Sequence, residues 1–283
     1  MLPSSFDYVA PTTVDEALAA LAEAGEDGKV LGGGQSLLPV LRMRLNSPSV
    51  VVDLGRIEGL RGIRDAGDHL DIGAMTTHQD VLDSDAVRAS AALLTKAVAT
   101  IADPQIRHRG TIGGSAMHAD PAGDIGAPLL ALEASMVIRG SGGERTVAAG
   151  DFFEDLFQTA VGDGELLTAI RIPKHDGWGA HYEKFVRVSH QWAIVAVAAT
   201  VRLDGGRIAE ARIGLTNMGS TPLRAKAVEA ALVGGSTSED AVRAACAAAA
   251  EGTNPPSDLN GDAAYRTHLA TVLTRRAVLA AAG

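Results

Sequence analysis

Apolar and polar positions along the chain alternate with two periods, and the switches between them mark out its elements. The stretch Thr13-Val14-Asp15-Glu16 opens a helix predicted to run to about Ala24, with Thr13 as cap and two acids in the first turn. "KVLGGG" (29–34) reads as a short buried strand ending in a glycine run. Ser36 then caps a helix carrying Leu37, Leu38, Val40 and Leu41. "SVVVDL" (49–54) is apolar without alternation, the pattern of a strand covered on both faces. From Ile57 the pattern becomes that of a hairpin around Ala66-Gly67-Asp68, followed by a helix capped by Thr76 or Thr77. A helix from about Val87 to Ile101 comes next. "ASMVIRGSGGERTVAA" reads as a second hairpin, and "GELLTAIRIP" as a strand ending at Pro173.

Beyond Gly177 the character changes again. "HYEKFVRV", "AIVAVAATVRL" and "IAEARIGLTNMG" read as three antiparallel strands joined by short turns such as Asp204-Gly205-Gly206. Two alanine-rich helices follow, roughly Ser238 to Glu251 and Asp262 to Ala282, separated by "GTNPPSDLNG". The pattern predicts an α+β chain in three parts, residues 1–56, 57–176 and 177–283, with no internal repeat.

Composition narrows the functions available. A net charge of −9 argues against a nucleic-acid partner, since phosphate binding needs a basic face, and "RHRG" (107–110) is a locally basic patch. The single cysteine, Cys246, can neither close an internal disulfide nor hold an iron–sulfur cluster or structural zinc. The start lacks a basic and apolar leader pattern, and the longest apolar run, Ala193 to Val201, is too short to cross a bilayer. These readings predict a soluble, cytoplasmic protein.

Two glycine segments carry the candidate chemistry. Gly32-Gly33-Gly34-Gln35-Ser36 begins like a dinucleotide fingerprint, with Asp53 near the distance of a ribose-binding acid. Leu37 stands where the third glycine belongs, however, and Pro39 sits early in the following helix, so Asp53 reads better as a strand-end turn residue. The second segment, Thr111-Ile112-Gly113-Gly114-Ser115, again sets two glycines before a small hydroxyl. Two loops rich in free amides and hydroxyls could grip a diphosphate from opposite sides. There is no Ser–His–Asp order, no H-E-x-x-H and no Walker loop, which suits a protein whose chemistry belongs to a cofactor.

"GGGQSLLPVL" (32–41) and "DPQIRHRGTIGGSAMHADPAGDIGAPLLAL" (103–132) resemble the two FAD-binding segments of flavoprotein subunits in the molybdenum hydroxylase (xanthine dehydrogenase) family. "FDYVAPTTVDEALAAL", "IGAMTTHQDVL" and "GDAAYRTHLATVLTRRAV" extend the likeness over nearly the whole chain. Ser115 and "HADPAGD" lean toward the carbon monoxide dehydrogenase branch. The resemblance implies a fold of the vanillyl-alcohol-oxidase type: two α+β subdomains holding FAD, and a C-terminal domain with a three-stranded antiparallel sheet and helices. It implies that Gly32, Gly33, Gly34, Gln35 and Ser36 wrap the diphosphate from one side, and Thr111, Ile112, Gly113, Gly114 and Ser115 from the other. Gln35 replaces a common His and Ser115 a common Asn, both still hydrogen-bonding.

Further positions follow from the same likeness. Asp124 would meet the ribose or adenine end, with helix capping as its alternative. His118 would approach the nucleotide, and Leu166 and Leu167 would offer only main-chain groups, since they are core residues in any reading. Lys184 would lie near the flavin, or else be solvated on a strand. Trp192 would stack beside the isoalloxazine, or else fill the core. No catalytic residue and no metal site is expected in this chain. The implied partners are a large molybdenum-cofactor subunit and a small subunit with two iron–sulfur (2Fe-2S) clusters, assembled as a dimer of heterotrimers. Electrons would pass from those clusters through FAD to an external acceptor such as a quinone, and association with the inner membrane face would come through partners. The alternatives are a medium subunit oxidising aldehydes, purines or N-heterocycles, a stand-alone flavin oxidoreductase, or an assembly subunit that has lost FAD.

Overall fold

A computed structural model describes residues 2–283. The chain enters through strand β1 (Asp7–Val9) and helix α1 (Val14–Ala24). The Thr13 side chain accepts from the Glu16 amide while the Glu16 carboxylate reaches back to the Thr13 amide, so a complete capping box fixes the start of α1. Strand β2 (Gly28–Leu31), helix α2 (Leu37–Arg42) and strand β3 (Val50–Asp53) follow, and the strands form a parallel sheet in the order β1-β3-β2. Asp53 accepts the Gly55 amide at 2.8 Å and the Tyr8 hydroxyl at 2.5 Å, so it closes its strand as a turn residue. Ser36 holds the cap position of α2, but its hydroxyl makes no capping bond.

The second part begins with the hairpin β4 (Ile63–Asp65) and β5 (His69–Gly73). Helices α3 (His78–Asp83), α4 (Asp85–Ser90), α5 (Ala92–Val98), α6 (Pro104–Arg107), α7 (Ile112–His118) and α8 (Gly126–Ala131) then cover one face of the sheet that forms next. That sheet adds β6 (Ser135–Gly140) and β7 (Gly143–Ala148). After the turn α9 (Ala149–Phe152) and the small pair β8 (Phe153–Asp155) and β9 (Gln158–Thr159), it gains β10 (Leu166–Pro173). Its order is β4-β5-β10-β6-β7, antiparallel throughout. The single helix predicted over 87–101 is divided at Ala91. The Ser90 carbonyl accepts the distant His175 amide at 2.7 Å, and Ala91 leaves helical geometry (φ −143, ψ 48).

The last part is an antiparallel sheet of β11 (Gly179–Phe185), β12 (Val195–Asp204), β13 (Arg207–Thr216) and β14 (Leu223–Arg224). Helices α10 (Lys226–Leu232), α11 (Glu239–Ala245) and α12 (Ala263–Ala282) follow it. The two-residue β14 makes the sheet four-stranded where three strands were predicted, and α10 was not anticipated. β12 is buried on both faces, and its alternation divides the work between two cores. Ala196 and Ala198 pack with the middle helices, whereas Val195, Val197, Ala199 and Val201 pack toward the C-terminal helices. The N-terminal core (Ala17, Val52, Leu54, Ile57, Leu60, Met75) is completed by Leu166 of β10. Among the described residues no helix is long and apolar enough to cross a membrane.

Candidate functional site

The two glycine segments meet. β2 delivers the first, and the α6–α7 connection delivers the second. A Cβ placed on Gly33 would lie 2.0 Å from the Arg109 carbonyl oxygen and 2.7 Å from Gly110 Cα. One placed on Gly32 would lie 3.2 Å from Thr111 Oγ1 and 3.8 Å from Gly114 Cα. The backbones therefore touch at Gly33 with no room for any side chain. Gly34 turns the chain away through a left-handed conformation (φ 78) that glycine adopts without strain.

The loops differ in what they present. Among the described residues, the amides of Gly34, Gln35 and Ser36 find no partner within the chain, and the Ser36 hydroxyl is equally uncommitted. Gln35 folds back, donating from Nε2 to the Gly33 carbonyl at 3.2 Å. In the second loop four of the five amides are spent. Ile112 donates to Thr76 O, Gly113 to Ala74 O and Ser115 to Thr111 O, at 3.0, 2.9 and 3.0 Å, while Gly114 donates to Thr111 Oγ1 at 3.1 Å. The expectation that both segments are rich in free amides thus holds for the first only. The second carries two hydroxyls, one on buried Thr111 and one on half-buried Ser115, beside the exposed Gly114.

Asp124 and Lys184, 60 residues apart, form one buried cluster. Asp124 Oδ2 accepts from Lys184 Nζ at 2.7 Å, and Oδ1 accepts from the Tyr182 hydroxyl at 2.8 Å. Asp124 therefore caps no helix, and the cap position of α8 falls to Ile125. Asp120, by contrast, makes a local turn to the Ala122 amide at 2.9 Å. Burial pushes the Asp124 carboxyl above its ordinary value, opposed by the Lys184 ammonium and by both hydrogen bonds. Lys184 also donates to the Thr100 carbonyl at 3.2 Å and lines a cavity of about 250 Å³ with Thr100, Ala102, Val186, His190 and Gln191. Ala102 and His190 both take left-handed backbone (φ 38 and 71), a costly conformation for non-glycine residues that is often found at functional sites.

Trp192 stands on the β11–β12 connection next to the cavity-lining Gln191 and is 61% exposed, so it is not a core tryptophan. That connection is pinned where it enters β12. Asn217 Nδ2 donates to the carbonyls of Ala193 and Ile194 at 2.9 and 3.3 Å, and the buried Arg266 guanidinium also donates to Ile194. His118 ends α7 with its ring 5.1 Å from that of Phe157. Leu166 and Leu167 are buried on opposite faces of β10, just before a bulge.

Two residues at these sites escaped the sequence reading. Tyr182 gave no signal beyond its place in an alternating strand. His78, buried at 2% exposure, bonds Ser115 Oγ through Nε2 at 2.9 Å; the only hint was its position directly after the capping Thr77. A larger open groove of about 520 Å³ lies between the outer face of the middle sheet and residues 59–62, and includes no residue of either glycine loop. Of its four arginines, 64, 139 and 171 are paired with Asp71, Asp15 and Glu144, and Arg61 donates to the Gly55 carbonyl at 3.0 Å.

Residues 4–175 match the family described as the FAD binding domain in molybdopterin dehydrogenase, and residues 180–281 match the CO dehydrogenase flavoprotein C-terminal domain. The carbon monoxide dehydrogenase medium chain of Hydrogenophaga pseudoflava is 42% identical over 282 residues, covering 99% of this chain and 98% of its own. The glyceraldehyde dehydrogenase medium chain of Sulfolobus acidocaldarius is 36% identical over 277 residues, covering 98% of each. A solved structure of the Hydrogenophaga pseudoflava carbon monoxide dehydrogenase superposes with a TM-score of 0.97 at 44% identity, covering 99% of this chain and 98% of that one.

Proposed function

Since the chain belongs to the FAD-binding family of molybdopterin dehydrogenases, we propose that residues 32–36 and 111–115 hold the diphosphate of FAD between them. The observation that carries this reading is the close approach of the two segments, Gly33 against Arg109 and Gly110 and Gly32 beside Thr111 Oγ1 and Gly114, where the first loop keeps three uncommitted amides and the second carries two hydroxyls. The chain is an oxidoreductase subunit, the medium chain of a molybdenum hydroxylase with a large and a small partner. When bound, FAD would supply the redox chemistry, taking electrons that substrate oxidation at the partners' molybdenum centre releases and their iron–sulfur clusters relay.

The protein's own residues have simpler tasks. The amides of Gly34, Gln35 and Ser36 and the Ser36 hydroxyl donate to anionic oxygens from one side, and the hydroxyls of Thr111 and Ser115 from the other. Ile112 and Gly113 shape the second turn. Lys184, held by Asp124 and the Thr100 carbonyl, keeps a positive charge at the cavity wall, where it favours negative charge developing on a bound ring. Trp192 covers the ring's open side and meters access of the acceptor. His118 approaches the nucleotide, and Leu166 and Leu167 contribute main chain alone. The division at residues 1–56, 57–176 and 177–283 belongs to the same reading, supported by each large sheet falling within one segment.

Finer features are proposed with it: carbon monoxide as the large subunit's substrate, a quinone as acceptor, a dimer of heterotrimers, and a cytoplasmic complex met at the membrane only through partners. The first is supported by the greater identity to a carbon monoxide dehydrogenase chain than to the glyceraldehyde dehydrogenase chain. The test is reconstitution of the purified chain with FAD. Stoichiometric uptake, with reduction by the large subunit's substrate only after the large and small subunits are added, is the expected result. Reduction of the isolated chain by substrate would instead indicate a stand-alone enzyme, and a colourless chain would end the proposal.

A further inference from the structure

His78 is the first residue of α3, and its amide donates to the Gly110 carbonyl at 2.9 Å, which ties it to the second glycine loop. Its ring lies directly under that loop: a Cβ on Gly110 would sit 3.0 Å from His78 Cδ2. Nε2 is 2.9 Å from Ser115 Oγ, whereas Nδ1 is buried without any partner. Two neutral tautomers are available, and they have opposite consequences for the serine. With the proton on Nδ1, a buried N–H would be left without an acceptor, and Ser115 would have to donate its own hydrogen to Nε2. With the proton on Nε2, the ring donates to Ser115 Oγ and the orphan is only an acceptor lone pair. Buried donors without partners are the rarer and costlier case.

We infer that His78 is a positioning residue: it donates from Nε2 to Ser115 Oγ, which frees the Ser115 hydroxyl hydrogen for an anionic oxygen held at the two glycine loops. The inference deepens the FAD reading and rests on it. It also accounts for how the second loop takes part although four of its five amides are spent, because a hydroxyl that receives a hydrogen bond from behind gives its own forward. Burial, reinforced by the Arg107 charge, lowers the His78 pKa to about 4, so near pH 7 the ring is neutral and carries its proton on one nitrogen only.

The test uses the full chain selectively labelled with 15N at histidine. Long-range 1H–15N correlation should show His78 protonated at Nε2 and bare at Nδ1. In FAD titrations, Ser115→Ala and His78→Leu should each weaken binding by about ten- to hundredfold, the range of a hydrogen bond to a charged group. The double variant should be no weaker than either single one, and His78→Gln, whose amide can still donate, should retain most of the affinity. Circular dichroism of each variant without FAD separates loss of binding from loss of fold. A proton on Nδ1, or additive losses in the double variant, would overturn the inference while leaving the FAD site standing. Failure of the unaltered chain to bind FAD would overturn both.

Discussion

Gly33→Ala tests the meeting of the loops with a single methyl group. The added Cβ would stand 2.0 Å from the Arg109 carbonyl oxygen and 2.7 Å from both the Arg109 carbonyl carbon and Gly110 Cα. Restoring ordinary contact requires the two backbones to part by about 1.4 Å. The obstacle is main chain, not a side chain that can swing away, so the cost falls at the upper end of the range for overpacking, about 3 kcal/mol. For a chain of this length that corresponds to a fall in Tm of roughly 6 °C. Separation of the donors should also weaken FAD binding at least about tenfold. The sign is informative, because a Gly→Ala change at an unconstrained site stabilises by about 0.4–1 kcal/mol through the unfolded chain. Gly59 is such a site, with no positive φ and nothing within 4 Å of the point where an added methyl would stand. Calorimetry of apo Gly33→Ala and Gly59→Ala, with FAD titration of both, makes the comparison. If Gly33→Ala matches Gly59→Ala in Tm and affinity, the loops do not touch as described.

Three further outcomes are expected. Trp192→Ala should leave stability within about 0.5 kcal/mol of the unaltered chain, because the side chain is exposed, while changing the absorbance or emission of bound flavin; an unchanged flavin spectrum would remove Trp192 from the site. Lys184→Met should destabilise by about 3–5 kcal/mol, since it strands the buried Asp124 carboxylate, and the loss should shrink in the Lys184→Met/Asp124→Asn double variant, as read by denaturant unfolding. The folded chain refuses a proton at His78 that the unfolded chain accepts between pH 6.5 and about 4, so stability should fall as pH drops through that window. This one group contributes about 3 kcal/mol to that fall and nothing above pH 7, and a His78→Gln chain should show a shallower acid slope.

Much of the architecture was legible because its causes are local. Thr13 and Glu16 announce a capping box within four residues, and the glycine turns at 66–68 and 204–206 break alternating strands where hairpins turn. Elements fixed by distant contacts were not legible. Nothing between Val87 and Ile101 breaks a helix, yet the His175 amide claims the Ser90 carbonyl and divides it. β14 and α10 are stabilised by Glu229, whose carboxylate pairs with Arg224 and accepts the Ile213 amide at 2.8 Å, contacts that no periodicity reveals. At the site, residue chemistry picked out both glycine loops. It could not show that Ala74 and Thr76 consume two amides of the second, or that Asp124 and Lys184 hold each other.

The most direct measurement is a crystal structure of the chain loaded with FAD. A clamp between the two loops requires the diphosphate oxygens to lie about 2.7–3.2 Å from the amides of residues 34–36 and from Ser115 Oγ. FAD seated elsewhere, for example along the arginine-bordered groove of the middle sheet, or a diphosphate facing solvent with both loops bare, would contradict it.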